Sequence, residues 1–290
     1  MNILSFDIEE WYIEKKFCGG RVEKYRKFDS YLNKILDILD ENNQKATFFC
    51  VGRIAADFHY VIRKISERGH EIGCHSNEHL WLTQMTPKQL QEDTKEAIDA
   101  LQDVSGQSVV SYRAPAFSIG EKNKWAIEIL AQCGIERDSS IYPAVRDFGG
   151  FPAFPANNPV LIEYNNVQLK EFPIALTHML GKDFAFSGGG YFRLFPLQFI
   201  KYKMSHNNYF IAYFHLGDLI HNQDGMMTRI EYETYFRENG SVKNRMMRYV
   251  KSSIGTKGAF EKMQKLLNSA SFVSLEDADN QLTFENKILL

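Results

Sequence analysis

The chain has 290 residues, 44% of them hydrophobic and 13% aromatic, with a formal net charge of -2 and a pI near 6.5. That apolar content suffices for one large domain and excludes global disorder, and the charge balance lacks the basic footprint that nucleic-acid binding requires. No run approaches the roughly 18–20 consecutive apolar residues that cross a bilayer, and residues 1–7 enter a strand pattern without a basic leader, so the sequence reads as cytoplasmic.

Short apolar runs alternate with amphipathic helical patterns, the mark of βα units around a parallel sheet. The predicted strands are residues 2–6, 46–50, 71–74, 109–113, 136–139, 169–173 and 209–214. Between the first two, Leu32, Ile35, Leu36 and Leu39 form the stripe of a helix packed on one face. Thr86-Pro87-Lys88-Gln89 is a capping box with Pro at the first helical position, continued by Leu90, Ala97, Ile98 and Leu101. A further helix over Trp125, Ile129 and Leu130 ends at Gly134, and the glycines 188–190 read as a substrate-facing loop. Polar helices are expected at 229–239 and 257–267, followed by a strand-like 272–275.

Seven such strands suit a closed, distorted (β/α) barrel or an open doubly wound sheet, and both gather functional groups at the carboxyl ends of the strands. Residues 1–225 are read as the α/β barrel and 226–290 as a helical extension packed on the same domain. Cys18, Cys50, Cys74 and Cys133 show no CxxC spacing and read as free thiols of a reducing compartment, Cys74 standing behind the neighbouring His75.

Three segments carry candidate chemistry. In His75-Ser76-Asn77-Glu78-His79, a helical turn would bring both imidazoles onto one ion, although HxxxH alone leaves hydrogen-bonded histidines as an equal reading. In Asp7-Ile8-Glu9-Glu10-Trp11, strand alternation points Asp7 and Glu9 to one side, one to bind a cation and the other to act as a base, while Glu10 reads as the start of a solvated turn. His215, ending the last strand three residues before Asp218, suits a general acid or a satisfied core histidine. Arg113 ends a strand where it can pair with a carboxylate.

Taken together and in order, Asp7-Ile8-Glu9, Thr47 to Gly52, Gly69 to His79, Arg113-Ala114-Pro115 and Phe214-His215 resemble the successive motifs of the NodB-homology polysaccharide deacetylases, carbohydrate esterase family 4. Glu171-Phe172-Pro173, Ser187 to Arg193 and residues 258–267 resemble a bacterial subgroup found with exopolysaccharide and capsule synthesis. The resemblance implies a metal-dependent hydrolase that removes an N-acetyl group from an amino sugar of a polysaccharide or of its biosynthetic intermediate. Glu9, His75 and His79 would hold one divalent ion, zinc foremost, with cobalt or nickel as alternatives. Asp7 would be the general base, Arg113 its ion-pair partner and His215 the general acid. Tyr112, or backbone N–H groups near Arg113 and Pro115, would contact the oxyanion, and Arg193 the sugar; Trp11, Trp81 and Tyr191 near the rim read equally as groups that stack on a sugar face or as core. Many family members carry Asp where this chain has Glu9, and the longer side chain either ligates or fills the metal pocket. The rival readings are a metal-free amidohydrolase of the same fold acting on a small amide, and a non-catalytic carbohydrate-binding protein. A cytoplasmic location favours a nucleotide- or lipid-linked N-acetylated sugar as substrate, with no nucleic-acid partner, no transmembrane segment and an oligomeric state the sequence does not set.

Overall fold

A computed structural model describes residues 1–290 other than 147–148, 180 and 222–224. The strands in chain order are β1 (Asn2–Ile8), β2 (Thr47–Cys50), β3 (Glu71–Cys74), β4 (Ser111–Tyr112), β5 (Arg137–Asp138), β6 (Val160–Tyr164), β7 (Val167–Glu171), β8 (Leu176–Met179), β9 (Lys182–Ala185), β10 (Phe210–His215) and β11 (Lys287–Leu289). Among the described residues nine of these form one sheet in the order β10-β1-β2-β3-β4-β5-β7-β6-β11, and β8 and β9 pair separately. Pairing is parallel throughout the main sheet except between β6 and β7. The expected α/β architecture, a parallel sheet with helices as in a distorted barrel, is what the chain adopts.

The sheet's core strands are covered on both faces, and their sequences run apolar without alternation accordingly. Phe6 of β1 stacks on Phe48 of β2 at 5.0 Å between ring centroids and lies 5.8 Å from Phe214 of β10. The helix Val22–Glu41 buries Leu32, Ile35, Leu36 and Leu39. In the helix Pro87–Ser105 the reciprocal cap forms as expected, Gln89 N–H donating to Thr86 Oγ1 at 3.3 Å and Thr86 N–H to Gln89 Oε1 at 2.9 Å. The helix Trp125–Gln132 is followed by Gly134 at φ +88°, a left-handed position glycine takes without a Cβ clash.

All seven expected strands are present, and the structure adds four. The β6–β7 hairpin turns at Asn165 and Asn166, both at positive φ (47° and 65°), which is type I′ chemistry that Asn tolerates. Beyond residue 225 the helices Arg229–Phe236 and Ala259–Leu267 stand where polar helices were expected, with Val242–Ser253 between them and Leu275–Gln281 after them. The strand-like 272–275 is a single parallel bridge from Val273 to Ile3, after which Ser274 caps the last helix. The extension is therefore not helical alone, since β11 pairs with β6 at the sheet edge.

The glycine run 188–190 is not a loop facing a ligand. Gly188 bridges Tyr213 of β10, where an added Cβ would meet the tyrosine ring at 2.2 Å, and Gly189 begins a short helix, Gly189–Leu194. No described helix is long and apolar enough to cross a membrane.

Candidate active site

Parallel register assembles the site. Asp7 on β1 lies level with His215 on β10 and with Phe49 on β2. His75 N–H donates to Cys50 O, and Arg113 N–H to Cys74 O, each at 2.9 Å, so both residues leave their strands at the same edge. The segment from His75 to His79 is not the helical turn expected. Ser76 and His79 have positive φ (65° and 54°), and the backbone N–H groups of Asn77 and Glu78 donate to the Asp93 carboxylate at 2.8 and 3.2 Å. That carboxylate, at the far side of the loop, bends it so that both imidazoles still converge.

Glu9, His75 and His79 each offer a ligand atom, and these atoms lie within 4.8 Å of one another. Glu9 Oε2 is 2.6 Å from His79 Nε2 and 3.5 Å from His75 Nε2. His75 Nδ1 lies 2.7 Å from the Arg113 carbonyl, which can only accept, so Nδ1 carries the proton and Nε2 presents its lone pair. That Nε2 is buried without a hydrogen-bond partner. A carboxylate, two imidazole nitrogens and one orphaned buried acceptor are the donor set and the unsatisfied valence that a divalent ion fits. Burial opposes ionisation of Glu9, but the charges of His79 and His215, with a hydrogen bond from His79, hold its carboxyl well below the usual range.

Arg113 is wholly buried. Its Nη1 donates to Asp7 Oδ1 at 2.8 Å and to Ser5 Oγ at 2.9 Å, its Nη2 to Ser139 Oγ at 2.8 Å and its Nε to Ser139 O at 3.1 Å. The guanidinium also lies over the Phe49 ring, 4.2 Å from its centroid. Asp7 thus has one oxygen fixed and the other, Oδ2, 3.5 Å from His215 Nε2. His215 Nδ1 donates to Asp218 Oδ2 at 3.0 Å. Burial works against charge on His215, yet Glu9, Asp218 and Asp7 outweigh it and raise its pKa well above the ordinary value. Asp218 is held low, against the pull of burial, by His215 and by Arg193, whose Nη2 is 3.7 Å from Asp218 Oδ1. The His215 side chain is 30% exposed, against 2% for His75 and 6% for His79, so access to the site runs along its side. There a cavity of about 680 Å3 opens, lined by Glu9, Glu10, Arg193, His215 and Asp218 and closed by Tyr232, Phe236, Arg245 and Tyr249 from the C-terminal helices.

The structure brings Asp7, Glu9, His75, His79, Arg113 and His215 together, but of the expected substrate contacts only Arg193 lines the cavity. Its guanidinium is engaged with Asp218 and with the carbonyls of Ser252 (2.6 Å) and Lys251 (2.8 Å). Tyr112 is wholly buried and turned to the helix-covered face, beside Cys74 and Asp93, because alternation sends it opposite to Arg113. The neighbouring N–H groups are also taken, Arg113 N–H by the sheet and Ala114 N–H by Ser140 Oγ at 2.8 Å, while Pro115 has none. Tyr191 packs on Phe184 and Phe195, Trp11 is core against Phe28, and Trp81 is half-buried beside a 3-10 turn. Cys74 faces the same helix-covered side as Tyr112 rather than the back of the site, and all four cysteines are free.

Glu10 is not a solvated turn residue. It is 8% exposed, opens the helix Glu10–Phe17 and accepts from Gly217 N–H at 2.7 Å; burial and the Glu9 charge push its pKa up to about 7. Two features escaped sequence reasoning. Behind Arg113, Ser140 Oγ donates to Asp138 Oδ1 at 2.5 Å, and burial raises Asp138 to about 6 and, together with Asp138, holds Glu171 well above the carboxylate range. The other is Tyr235, whose ring lies parallel to His79 (9°) at 6.4 Å between centroids; no local signal could place it there from 156 positions away.

Residues 23–137 match the family model described as polysaccharide deacetylase. Residues 139–279 match a second model, a domain of unknown function (DUF3473). The chain is 31% identical over 106 residues to the peptidoglycan-N-acetylmuramic acid deacetylase PdaA of Bacillus subtilis, covering 34% of this chain and 40% of that protein. It is 33% identical over 96 residues to a peptidoglycan-N-acetylglucosamine deacetylase of Bacillus cereus, covering 33% and 35%. It therefore spans less than half the length of these relatives. Across nearly the whole chain, a crystal structure of a nominal polysaccharide deacetylase from Mycobacterium smegmatis shares the fold, with a TM-score of 0.60 at 17% identity over 97% of this chain and 91% of that one.

Proposed function

We propose that this chain hydrolyses the N-acyl amide, acetyl in the simplest case, of an amino sugar belonging to a polysaccharide or its biosynthetic intermediate. The observation that carries the reading is one cavity edge where Asp7 braced by Arg113 and His215 braced by Asp218 face the cluster of Glu9, His75 and His79. Glu9, His75 and His79 would hold a divalent ion, zinc foremost. Such an ion, when bound, acidifies water and polarises an amide carbonyl.

The chain's own groups supply the rest. Asp7 keeps Oδ2 turned toward His215 while Arg113 occupies Oδ1, so its free oxygen takes the proton of the attacking water. Arg113, locked by Ser5, Ser139 and the Phe49 ring, prevents the carboxylate from rotating away. His215, steered through Nδ1 by Asp218, presents Nε2 on the open side and gives a proton to the departing amine nitrogen as the C–N bond breaks. The products are a carboxylate and a free amino sugar.

Within that reading we place the substrate among the nucleotide- or lipid-linked N-acetylated sugars of cytoplasmic exopolysaccharide and capsule synthesis, on the resemblance of residues 171–173 and 187–193 to that subgroup. The relatives that act on peptidoglycan define the competing substrate.

The test is metal content and acetate release from N-acetylhexosamine oligosaccharides, for wild type and His79→Ala, with and without chelator. About one metal per chain, lost in the variant, with chelator-sensitive acetate release supports the reading. Acetate release without metal would assign a metal-free amidohydrolase, and tight oligosaccharide binding without release a carbohydrate-binding protein. Parallel assays on linked sugars and on peptidoglycan fragments decide the substrate class.

A further inference from the structure

The helix Val242–Ser253 has one face that the site explains and one that it does not. Arg245, Arg248, Tyr249, Lys251, Ser252 and Ser253 line the cavity that holds His215. On the other side Val242, Met246, Met247 and Val250, with Ile254 just beyond the helix end, are 43–63% exposed. At 100° per residue these five positions fall within an arc of about 140°. Leu194, 60% exposed, adjoins the end of the arc, because Gly255 packs against the Arg193 backbone, where an added Cβ would meet the carbonyl oxygen at 3.1 Å.

The charge around this arc has one sign. Residues 239–260 contain Lys243, Arg245, Arg248, Lys251 and Lys257 and no Asp or Glu, in a chain whose formal net charge is -2. Lys243, Lys251 and Lys257 are exposed. On the helical projection Lys243 falls within the apolar arc, where its long stem can lie along apolar surface with the ammonium group turned outward, and Lys251 stands at the border between the arc and the cavity wall.

We propose that this face docks in the interface of an anionic lipid surface. A helix with an apolar arc, a cationic border and no acid lies in the plane of a membrane, its apolar side chains at the headgroup and acyl boundary and its lysines against lipid phosphates. A second copy of the chain fits the face less well, since a two-fold contact would bring the basic residues of one copy against those of the other with no acid on this helix to pair them. Docking this way holds the cavity beside the headgroups, because the same helix forms the cavity wall on its opposite face. The inference stands on exposure and charge, independent of the deacetylase reading, and its test reads binding without any activity.

The full chain is sedimented with vesicles of phosphatidylcholine alone and of phosphatidylcholine mixed with phosphatidylglycerol, at low and at raised salt. Wild type is expected on the anionic vesicles only, less at raised salt as the Debye length shortens. Met246→Glu/Val250→Glu is expected to bind at least about tenfold more weakly, with an unchanged circular dichroism spectrum and thermal midpoint. Lys243→Gln, which keeps the apolar arc, is expected to weaken binding and flatten its salt dependence. Failure of wild type to bind anionic vesicles, or equal binding by the double glutamate variant, overturns the proposal. So does a wild-type dimer in sedimentation equilibrium that the double variant abolishes, which would give the face to a second copy.

Discussion

The strand ends that carry the site and the helical stretch 229–254 satisfy their side chains in opposite ways. At the strand ends, Arg113 and Asp7 are buried charges whose hydrogen-bonding groups have protein partners, and His75 is pinned through its ring nitrogen to a backbone carbonyl. In the helix Val242–Ser253 no residue is buried, and its apolar side chains stand exposed. Groups that must hold a fixed geometry are seated on the rigid sheet, while the helices supply walls and surface. Substitutions in the first region should therefore be costly and in the second nearly silent for stability.

The largest effect should come from Asp7→Asn, which keeps shape and removes the proposed base. A loss of roughly a thousandfold or more in kcat for acetate release is expected, with metal content retained; near-wild-type turnover would shift the base elsewhere. Next is Arg113→Leu, which strands the Asp7 carboxylate in the interior. Urea denaturation should show a loss of about 3–5 kcal/mol, and Arg113→Lys should recover part of that stability but little activity, because lysine lacks the fork that reaches Asp7, Ser5 and Ser139 together.

A smaller, pH-dependent effect belongs to His70, which is buried against Phe48 with neither ring nitrogen hydrogen-bonded. Burial, aided by Lys45, lowers its pKa to about 4. The neutral ring is the form the fold accepts, so its contribution is complete above the ordinary value near 6.5 and is lost as pH falls from there toward 4. The difference in stability between wild type and His70→Phe should shift by up to about 3 kcal/mol across that window, read from thermal midpoints at each pH. The smallest effect is Met246→Glu, expected to change stability by less than about 0.5 kcal/mol. A larger loss would show that the exposed arc is core and erase the contrast between the two regions.

Much of the frame was legible without coordinates. The strands β1 to β4 and β10 stood out as largely apolar runs between helical stripes, β5 and β7 were placed by their position in the alternation, and the cap at Thr86 and the stop at Gly134 could be named residue by residue because their chemistry is local. The β6–β7 hairpin has a local signal too, Asn165-Asn166 at its turn. The six side chains that gather at the site were named because each ends a strand or lies within a few residues beyond one, and parallel strands share one carboxyl edge. The substrate contacts were not legible: whether Tyr112 or Arg113 faces the site depends on a one-residue phase within β4, and what Arg193 touches depends on a helix some fifty residues further on.

The sequence by itself determined the order of the elements and the kind of chemistry at the strand ends, since periodicity, capping and residue type act over a few positions. Only the tertiary structure decided that Glu10 is buried, that the loop from His75 to His79 bends around Asp93 instead of coiling, that Asp138 and Glu171 sit behind Arg113, and that Tyr235 covers His79. Each of these follows from contacts between segments far apart in the chain, where burial and charge are set by whatever the fold brings alongside.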